Sequence, residues 1–320
     1  MKNNLKLTTI QTDTPPKLTI VYLNFNRFAD TVKTTGHLKK ICSNRDDIEI
    51  IAVDNGSTDG TPQFLESQSD WITSLKLTEN LGIEGLNLGF EIAKGEYILV
   101  LDDDSHPLNI DTVDILIESL DRHKDAGAVA CKIELKDGTY FKTWHIPDTD
   151  ICSFCESTAF VGCGFAIRRS VFKTIGWFPA KYFLYQNEID AAIKIRKLGY
   201  KIYYNPQCVV VHRTSPVGRA GWRQVFFPTR NTIWLLREYA PFPTSAYYIF
   251  SRLCFGFVRA VESGEYGWYI RAVKEAFQCK IKKSHLNSEL HKNFLILWQQ
   301  NSIIHHIKWA LENKRHIFKR

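Results

Sequence analysis

Over its first half, the chain alternates short β-branched apolar runs with longer runs whose apolar residues recur at helical spacing. This alternation is typical of βαβ units on a parallel sheet. We predict strands at residues 18–25, 48–54, 74–77, 97–102 and 128–134. We predict helices between them at residues 28–41, 62–68, 85–93 and 110–123. The fold class that follows is α/β, with a mixed, mostly parallel sheet flanked by helices.

The second half predicts a helix at residues 189–198 closed by Gly199, then strands at 200–204 and 209–212. A further helix is predicted from about Thr229 to just before Pro241, and from residue 243 the pattern becomes helical, aromatic and basic. Residues before the Pro15-Pro16 pair are polar and show no period. We therefore predict a flexible N-terminal arm (1–16), a main domain (17–241) and a C-terminal helical extension (242–320).

The composition is that of a globular protein, and its charge is unevenly distributed. Of 320 residues, 44% are hydrophobic and 23% charged, which excludes a disordered chain and a disulfide miniprotein. The net charge of +7 divides sharply, because residues 241–320 carry 13 Lys and Arg against 5 Asp and Glu. The first 240 residues hold the other 28 basic and 29 acidic residues, a net −1. Such a body offers no basic groove, so nucleic acid is not an expected partner.

Eight cysteines without a paired C-x-x-C pattern, and no signal peptide, predict reduced thiols and a cytoplasmic location. Cys152, Cys155 and Cys163 have the one spacing suited to zinc, with His145 as a fourth ligand, but free cysteines are more often small buried apolar residues. No stretch is apolar enough to predict a membrane span.

The first predicted strand is followed by residues 24–27 without a glycine, so neither a dinucleotide fingerprint nor a P-loop is present. Ligands of parallel sheets bind beyond the carboxyl ends of the strands, and the second strand ends in Asp54. Turn chemistry accounts for residues 55–62: Asn-Gly and Asp-Gly supply positive φ, and Thr61 caps a helix with Pro62 in its first position. It does not account for Asp54, which we interpret as an acceptor for a nucleobase N–H.

The fourth strand runs directly into three adjacent carboxylates, Asp102, Asp103 and Asp104. Side chains alternate along a strand, so Asp102 and Asp104 are predicted to share a side while Asp103 points away. Burying such a cluster without a cation is costly. Oxygen ligands of this kind suit Mg²⁺ or Mn²⁺ bound together with a diphosphate. The alternative is a solvated acidic turn.

Two acidic residues, Glu188 and Asp190, open the helix that Gly199 closes. They favour the positive end of the helix dipole, and the same field would keep a general base ionised. His212 ends the last predicted strand, where it is either a core histidine or a metal ligand beside Asp104.

Taken in order, these motifs resemble the inverting family-2 glycosyltransferases of the GT-A fold, especially the rhamnosyltransferase-like branch that builds bacterial surface polysaccharides. The resemblance spans about residues 18–241. The segments that carry it are 20–27, 53–61, 79–82, 102–107, 161–169, 188–190, 211–212, 230–231 and 239–241.

The resemblance implies a role for each matching residue. Asp54 would hold the base of a UDP or dTDP sugar, framed by Asn24 and Arg27, and Asp104 and His212 would ligate Mn²⁺ or Mg²⁺. The other residues expected to bind the donor are Asn80, Asp102, Asp103, Gly162 and Arg230. In the family the base is the second acidic residue of a Glu-Asp-x-Asp stretch, which reads Asn187-Glu188-Ile189-Asp190 in this chain. Glu188 is therefore the expected base and Asp190 the alternative.

The implied activity is metal-dependent transfer of a hexosyl or deoxyhexosyl group to a hydroxyl of a glycan or lipid-linked acceptor. Residues 303–320 place Ile303, Ile307 and Leu311 on one helical stripe among basic residues, which suits either an anionic membrane surface or packing on the main domain. A peripheral position on the inner face of the cell membrane is the corresponding expectation. The rival functions are a sugar-nucleotide pyrophosphorylase, which would need a glycine-rich basic loop after the first strand, and a non-enzymatic binder of nucleic acid or membranes.

Overall fold

The computed structural model describes residues 7–8, 15–141, 152–215, 220–299, 302–305 and 307. The chain divides into two compact units. Residues 1–183 and 187–218 form the first, and residues 184–186 and 219–320 form the second. The predicted domain boundary near Pro241 stays a prediction. The helix that precedes Pro241, Gly221–Tyr239, belongs to the second unit.

The first unit is built on a single mixed sheet. Its strands within the described residues are β1 (Leu7–Thr8), β2 (Leu18–Asn24), β3 (Ile48–Asp54), β4 (Thr73–Lys76), β5 (Tyr97–Asp102), β6 (Ser105–Pro107), β7 (Ala126–Leu135), β8 (Cys155–Ser157), β9 (Gly164–Arg168) and β10 (Lys201–His212). The helices of this unit are α1 (Phe28–Cys42), α2 (Thr61–Glu66), α3 (Glu84–Ile92), α4 (Ile110–Arg122), α5 (Arg169–Thr174) and α6 (Asn187–Lys197).

The strand order is β1-β4-β3-β2-β5-β9-β7-β10-β6, with β8 paired to β10. Strands β4, β3, β2 and β5 run parallel, and so do β7 and β10. Between these two parallel groups lies β9, which is antiparallel to both β5 and β7. The mixed, mostly parallel α/β architecture expected from the sequence is confirmed.

The core lies on both faces of the central strands. Strand β5 is buried from Tyr97 to Leu101, and β2 buries Leu18, Ile20 and Val21 completely. Burying each large apolar side chain contributes about 1.5–3 kcal/mol. These strands therefore form a firm base for the polar residues at their carboxyl ends.

Most predicted elements of the first unit are present with shifts of one or two residues. The strands at 48–54 and 97–102 have the predicted bounds, and Gly199 closes α6 with φ +86°. The two strands predicted at 200–204 and 209–212 form one strand, β10, whose register shifts between Asn205 and Val209. Pro206 lies at this shift and has no N–H for the ladder, which explains the apparent break.

The second unit is helical where it is described. It contains α7 (Gly221–Tyr239), α8 (Thr244–Ser263), α9 (Tyr266–Gln278) and α10 (Ser288–Gln299). Helix α7 begins well before the predicted start at Thr229 because it continues through Pro228, a residue more typical of a first turn. Leu311 of the predicted C-terminal stripe lies outside the described residues. In the ranges that the structure covers, no helix combines the length and hydropathy needed to cross a membrane.

Candidate functional site

The carboxyl ends of three adjacent strands bring three polar residues together. In the register of the parallel strands, Asn24 lies opposite Asp54, and Leu23 lies opposite Asp102. The residues Asn24, Asp54 and Asp102 therefore line one edge of the sheet in the first unit, as the sequence predicts.

Asp54 is buried at this edge with one oxygen available. Its side chain is 1% exposed, and Oδ1 accepts the Ser57 N–H at 3.1 Å. Among the described residues, Oδ2 has no hydrogen-bond partner. Burial raises the pKa of Asp54 in spite of the hydrogen bond from Ser57. A buried carboxyl oxygen without a donor is suited to accept an N–H from a ligand.

Asn24 is also buried. Its Nδ2 donates to the Val53 carbonyl at 3.2 Å, while Oδ1 has no partner within the part of the chain that the structure describes. The framing role expected for Asn24 is thus compatible with an acceptor atom that the protein itself leaves unused.

The loops around Asp54 are held by a network of amides. Asn55 Nδ2 donates to Asn80 Oδ1 at 3.0 Å and to the Gly82 carbonyl at 2.9 Å. Asn80 Oδ1 also accepts the Gly82 N–H at 2.8 Å. Asn80, expected to bind the donor, therefore builds the wall of the site by holding the loop at 79–82.

Two details of turn chemistry differ from the prediction. Gly56 has the expected positive φ of +78°, but Gly60 does not, since its φ is −71°. The helix α2 begins at Thr61 itself, and Asp59 Oδ1 accepts the Thr61 N–H at 2.9 Å. The side chain of Asp59 rather than that of Thr61 thus accepts a hydrogen bond from a backbone N–H at the start of α2.

Arg27 forms an ion pair with the middle carboxylate of the triad. Its Nη1 lies 2.8 Å from Asp103 Oδ1 and 3.5 Å from Asp104 Oδ2. Burial raises the pKa of Asp103 to about 7, against the charge of Arg27, and the neighbouring Asp104 and Asp102 raise it further. Arg27 therefore offsets the charge of the triad, and its contact with a nucleobase stays a prediction.

Asp104 and His212 lie in direct contact. Asp104 Oδ1 is 3.1 Å from His212 Nε2, and Asp104 Oδ2 accepts the Ser215 N–H at 2.8 Å. Although burial alone raises the pKa of Asp104, the hydrogen bond and charge of His212, the Ser215 N–H and the charge of Arg27 lower it to about 2. The carboxylate is therefore ionised at neutral pH.

Two further side chains, those of Asp102 and Cys163, converge on His212. Ligand atoms of Asp102, Cys163 and His212 lie within 4.8 Å of one another. Cys163 is buried, and its carbonyl accepts from Ser105 Oγ at 2.9 Å. Cys163 thus groups with Asp102 and His212. Of the other cysteines considered for zinc, Cys152 is exposed and Cys155 lies on β8, while His145 lies outside the described residues.

These donors fit a divalent cation. Adjacent ligands of an octahedral Mg²⁺ stand about 3 Å apart, given bond lengths of about 2.1 Å. The separation of Asp104 and His212 matches that distance. His212 is 7% exposed, and its Nδ1 has no partner among the described residues. An ionised carboxylate beside an imidazole is a ligand pair that Mn²⁺ accepts.

Arg213 holds the acidic loop in place and was not singled out from the sequence. Its Nη2 donates to Thr34 Oγ1 at 2.6 Å, to the Asp103 carbonyl at 3.1 Å and to the Asp30 carbonyl at 3.2 Å. Its backbone N–H donates to the Asp104 carbonyl at 2.8 Å. The signal in the sequence was its position directly after His212.

Glu188 stands at the start of α6, against the loop that precedes β9. A Cβ atom added at Gly162 would lie 2.5 Å from Glu188 Oε1. Burial raises the pKa of Glu188 to about 7, and the charge of Asp102 contributes in the same direction. Asp190, the alternative base, is fully buried with Lys194 Nζ 2.6 Å from its Oδ2. Asp190 therefore has a cation beside it, and the assignment of Glu188 as the base stays a prediction.

Arg230 lies in the second unit on α7. Its Nη1 is 2.9 Å from Glu275 Oε2, and its guanidinium lies over the rings of Phe226 and Trp234. Arg230 has these partners within its own unit, and a contact with the donor stays a prediction.

Known proteins share this arrangement of elements. Residues 19–176 match the model of glycosyl transferase family 2. An N-acetylglucosaminyl-diphospho-decaprenol L-rhamnosyltransferase of Mycobacterium tuberculosis is 23% identical, over 52% of this chain and 67% of its own length.

Solved structures extend the similarity of fold to most of the chain. A mannosyltransferase from Pyrobaculum calidifontis in complex with GDP-Man and Mn²⁺ is 19% identical with a TM-score of 0.57, over 90% of this chain and 88% of its own. TarS residues 1–349 from S. aureus, in complex with UDP-GlcNAc, is 16% identical with a TM-score of 0.55, over 82% and 81% of the two chains.

Proposed function

Residues 19–176 match the model of glycosyl transferase family 2, and from that match we propose which transfer the protein performs. The protein moves a sugar, with inversion, from a nucleotide-diphosphate donor to a hydroxyl of a glycan or lipid-linked acceptor. The observation that carries this proposal is the placement of Glu188, with its pKa raised to about 7, in the same unit as the Asp102–Cys163–His212 group and Asp104.

The nucleotide is bound at the sheet edge. Asp54 Oδ2 accepts an N–H of the base, and Asn24 Oδ1 offers a second acceptor beside it. The networks of Asn55 and Asn80 fix the loops that frame these atoms. A uracil or thymine ring offers an N–H for such an acceptor, which agrees with a UDP or dTDP donor.

Asp104 and His212 would hold a divalent cation at the place where the diphosphate binds. The chemistry that Mn²⁺ or Mg²⁺ would supply there is neutralisation of the charge that develops on the departing diphosphate. Asp102 lies at the end of β5, and a carboxylate oxygen of its side chain lies within 4.8 Å of a ligand atom of His212. It is suited to contact the ribose or the donor sugar. Arg27 and Arg213 hold the triad rigid, so the ligands do not need to reorganise when the cation binds.

Glu188 removes the proton of the attacking acceptor hydroxyl. The acceptor oxygen forms a bond with the anomeric carbon, the bond from that carbon to the diphosphate oxygen breaks, and the proton moves to a carboxylate oxygen of Glu188. Attack opposite the leaving group inverts the anomeric configuration. A carboxyl with a pKa of about 7 matches the proton-transfer task near neutral pH.

For the acceptor and its location, the mycobacterial relative suggests a lipid-linked sugar. A product attached to a lipid carrier would belong to the synthesis of a surface polysaccharide at the inner face of the cell membrane. A pyrophosphorylase, the rival function, would need a glycine-rich basic loop after β2, and this chain does not have one there.

The test is a panel of UDP, dTDP and GDP sugars incubated with the protein and Mn²⁺ or Mg²⁺. Release of nucleoside diphosphate from one donor, abolished by chelation and restored by added metal, is the expected result. Release of a nucleoside triphosphate when pyrophosphate is supplied would instead identify a pyrophosphorylase.

A further inference from the structure

Helix α8 presents an unbroken apolar stripe to solvent. The positions follow helical spacing and share one face. Phe250 is 60% exposed, and Phe257 and Val258 are each 51% exposed. The stripe comprises Tyr247, Phe250, Cys254, Phe257, Val258 and Val261. The two basic residues in this length of helix, Arg252 and Arg259, fall on other faces at the same spacing.

Helix α9 carries a second exposed apolar stripe. Its exposed apolar side chains also follow helical spacing, at Tyr266, Ile270 and Phe277. Tyr269, next to Ile270, has its ring 5.9 Å from that of Phe257, and its hydroxyl donates to the Leu253 carbonyl at 3.0 Å. The two stripes therefore adjoin. We call them together the α8–α9 surface, comprising Tyr247, Phe250, Cys254, Phe257, Val258, Val261, Tyr266, Ile270 and Phe277.

Most fully buried positions of these helices are small, while many large apolar residues are exposed. The buried positions of α9 are Ala272 and Ala276, and those of α8 are Tyr248, Ser251, Gly256 and Ala260. Gly256 lies so close to α7 that a Cβ would meet Thr229 Oγ1 at 2.6 Å. An ordinary surface helix has the opposite arrangement. A contiguous exposed apolar patch of this kind marks an interaction site.

Basic residues accompany the surface. Over residues 244–283, seven Lys and Arg stand against three Glu. Lys274 on α9 and Lys280, Lys282 and Lys283 just after it are exposed. Aromatic side chains with adjacent lysines match the boundary between the acyl chains and anionic headgroups of a bilayer.

We propose that the α8–α9 surface binds an anionic lipid bilayer, with the aromatic side chains in the interfacial layer and the lysines against lipid phosphates. A second copy of the chain fits this surface less well, because it would bring the same lysines together. The inference depends on the second unit alone and does not depend on the proposed sugar transfer.

The test is flotation of the full chain with vesicles of phosphatidylcholine, with or without phosphatidylglycerol. Wild type is expected to float with the anionic vesicles and to bind the neutral ones weakly. The double variant Phe250→Asp/Phe257→Asp is expected to bind at least about tenfold more weakly, since two large apolar side chains no longer enter the interface. The matched control is Leu198→Asp, which makes the same kind of change at a 46% exposed leucine of the first unit.

Charge reversal measures the electrostatic contribution to vesicle binding. Lys282→Glu/Lys283→Glu is expected to weaken binding to anionic vesicles by about fivefold for each lost cation, and not to affect binding to neutral ones. The control is Lys173→Glu on α5, an exposed lysine of the first unit. Raising the salt concentration should weaken the binding of wild type to anionic vesicles and have less effect on the binding of the lysine variant.

Three outcomes would overturn the proposal. One is equal flotation of wild type and the phenylalanine variant, at unchanged thermal unfolding temperatures. Another is equal loss in the Leu198→Asp control. The third is a wild-type dimer in light scattering that Phe250→Asp/Phe257→Asp converts to a monomer without any vesicle binding, which would assign the surface to a second copy. Release of nucleoside diphosphate in solution, measured on the same variants, reports separately on the proposed transfer.

Discussion

Gly162 and Glu188 approach so closely that a Cβ atom at position 162 would stand 2.5 Å from Glu188 Oε1. The loop before β9 and the first turn of α6 are thus fitted to one another at the carboxyl that we assign as the base. A side chain at 162 would force that carboxyl to move.

The first prediction concerns this contact. Gly162→Ala should lower kcat by about 100-fold, because a shift of about 1 Å in a catalytic group costs that much. Affinity for the nucleotide alone should change little, since Asp54, Asp104 and His212 are untouched. Isothermal titration with the nucleotide and steady-state kinetics together measure both quantities. A normal kcat would show that Glu188 is free to move without consequence.

The second prediction is a pH dependence that belongs to Glu188. Burial raises the pKa of its carboxyl to about 7, and the active form is the carboxylate. The value of kcat should therefore rise tenfold per pH unit below about pH 7 and level off above it. Asp103 has a similarly raised pKa, so Asp103→Asn is the control, and its kcat should show the same rise below about pH 7. If the rise is lost in Asp103→Asn, the pH dependence belongs to the acidic triad and not to Glu188.

The third prediction separates the base from the metal ligand. Glu188→Gln and Asp104→Ala should both abolish transfer, with a loss of at least about 100-fold for the base variant. Only Asp104→Ala should weaken metal-dependent nucleotide binding, because Asp104 contacts His212 while Glu188 acts on the acceptor. Mn²⁺ binding by electron paramagnetic resonance and nucleotide binding by titration distinguish them. Transfer by Glu188→Gln at the normal rate would make the base assignment wrong and turn attention to Asp190.

The fourth prediction concerns metal selectivity at Cys163. Burial raises the pKa of this thiol well above its usual range, so hard ions such as Mn²⁺ should leave it protonated. A thiophilic ion such as Cd²⁺ should bind the thiolate together with Asp102 and His212. Cys163→Ser should therefore weaken Cd²⁺ binding by about tenfold or more and alter Mn²⁺ binding much less. The sulfur-to-metal charge-transfer band is the direct readout, and an equal band in both proteins would exclude a role for the thiol.

The fifth prediction tests the anchoring role of Arg213. Arg213→Met removes three hydrogen bonds that tie the acidic loop to α1, so Mn²⁺ affinity should fall by about tenfold. Arg213→Lys should recover part of the affinity, because it restores the charge and a nitrogen that donates hydrogen bonds. An unchanged Mn²⁺ affinity in Arg213→Met, with the protein still folded, would contradict this role.

Local pattern predicted the buried strands and their polar ends. Strands β3 and β5 are continuous apolar runs that stop at Asp54 and Asp102, so both strand and site could be predicted together. Strands β6 and β9 were missed because they are short and depend on partners far along the chain. The period of a five-residue run such as Gly164–Arg168 does not reveal an antiparallel insertion between parallel strands.

The site was predictable in its acidic residues and less so in what surrounds them. The sequence singles out Asp102, Asp104 and His212 because each ends or follows a strand. It did not predict that Cys163 joins them, since this requires the loop before β9 to reach the end of β5. It also could not show that Arg230 pairs with Glu275, which is 45 residues away on another helix.

The strand β1 has a consequence for the solubility of the protein. Its two residues pair antiparallel with Leu75 and Ser74 and thereby cover the outer edge of β4. An uncovered edge strand presents free N–H and C=O groups to other molecules and promotes association between sheets. Pairing over only two residues is enough to interrupt such a template on a strand of four. Leu7 and Thr8 thus cover part of the outer edge of β4 against pairing with another sheet, a contribution distinct from any part in substrate binding.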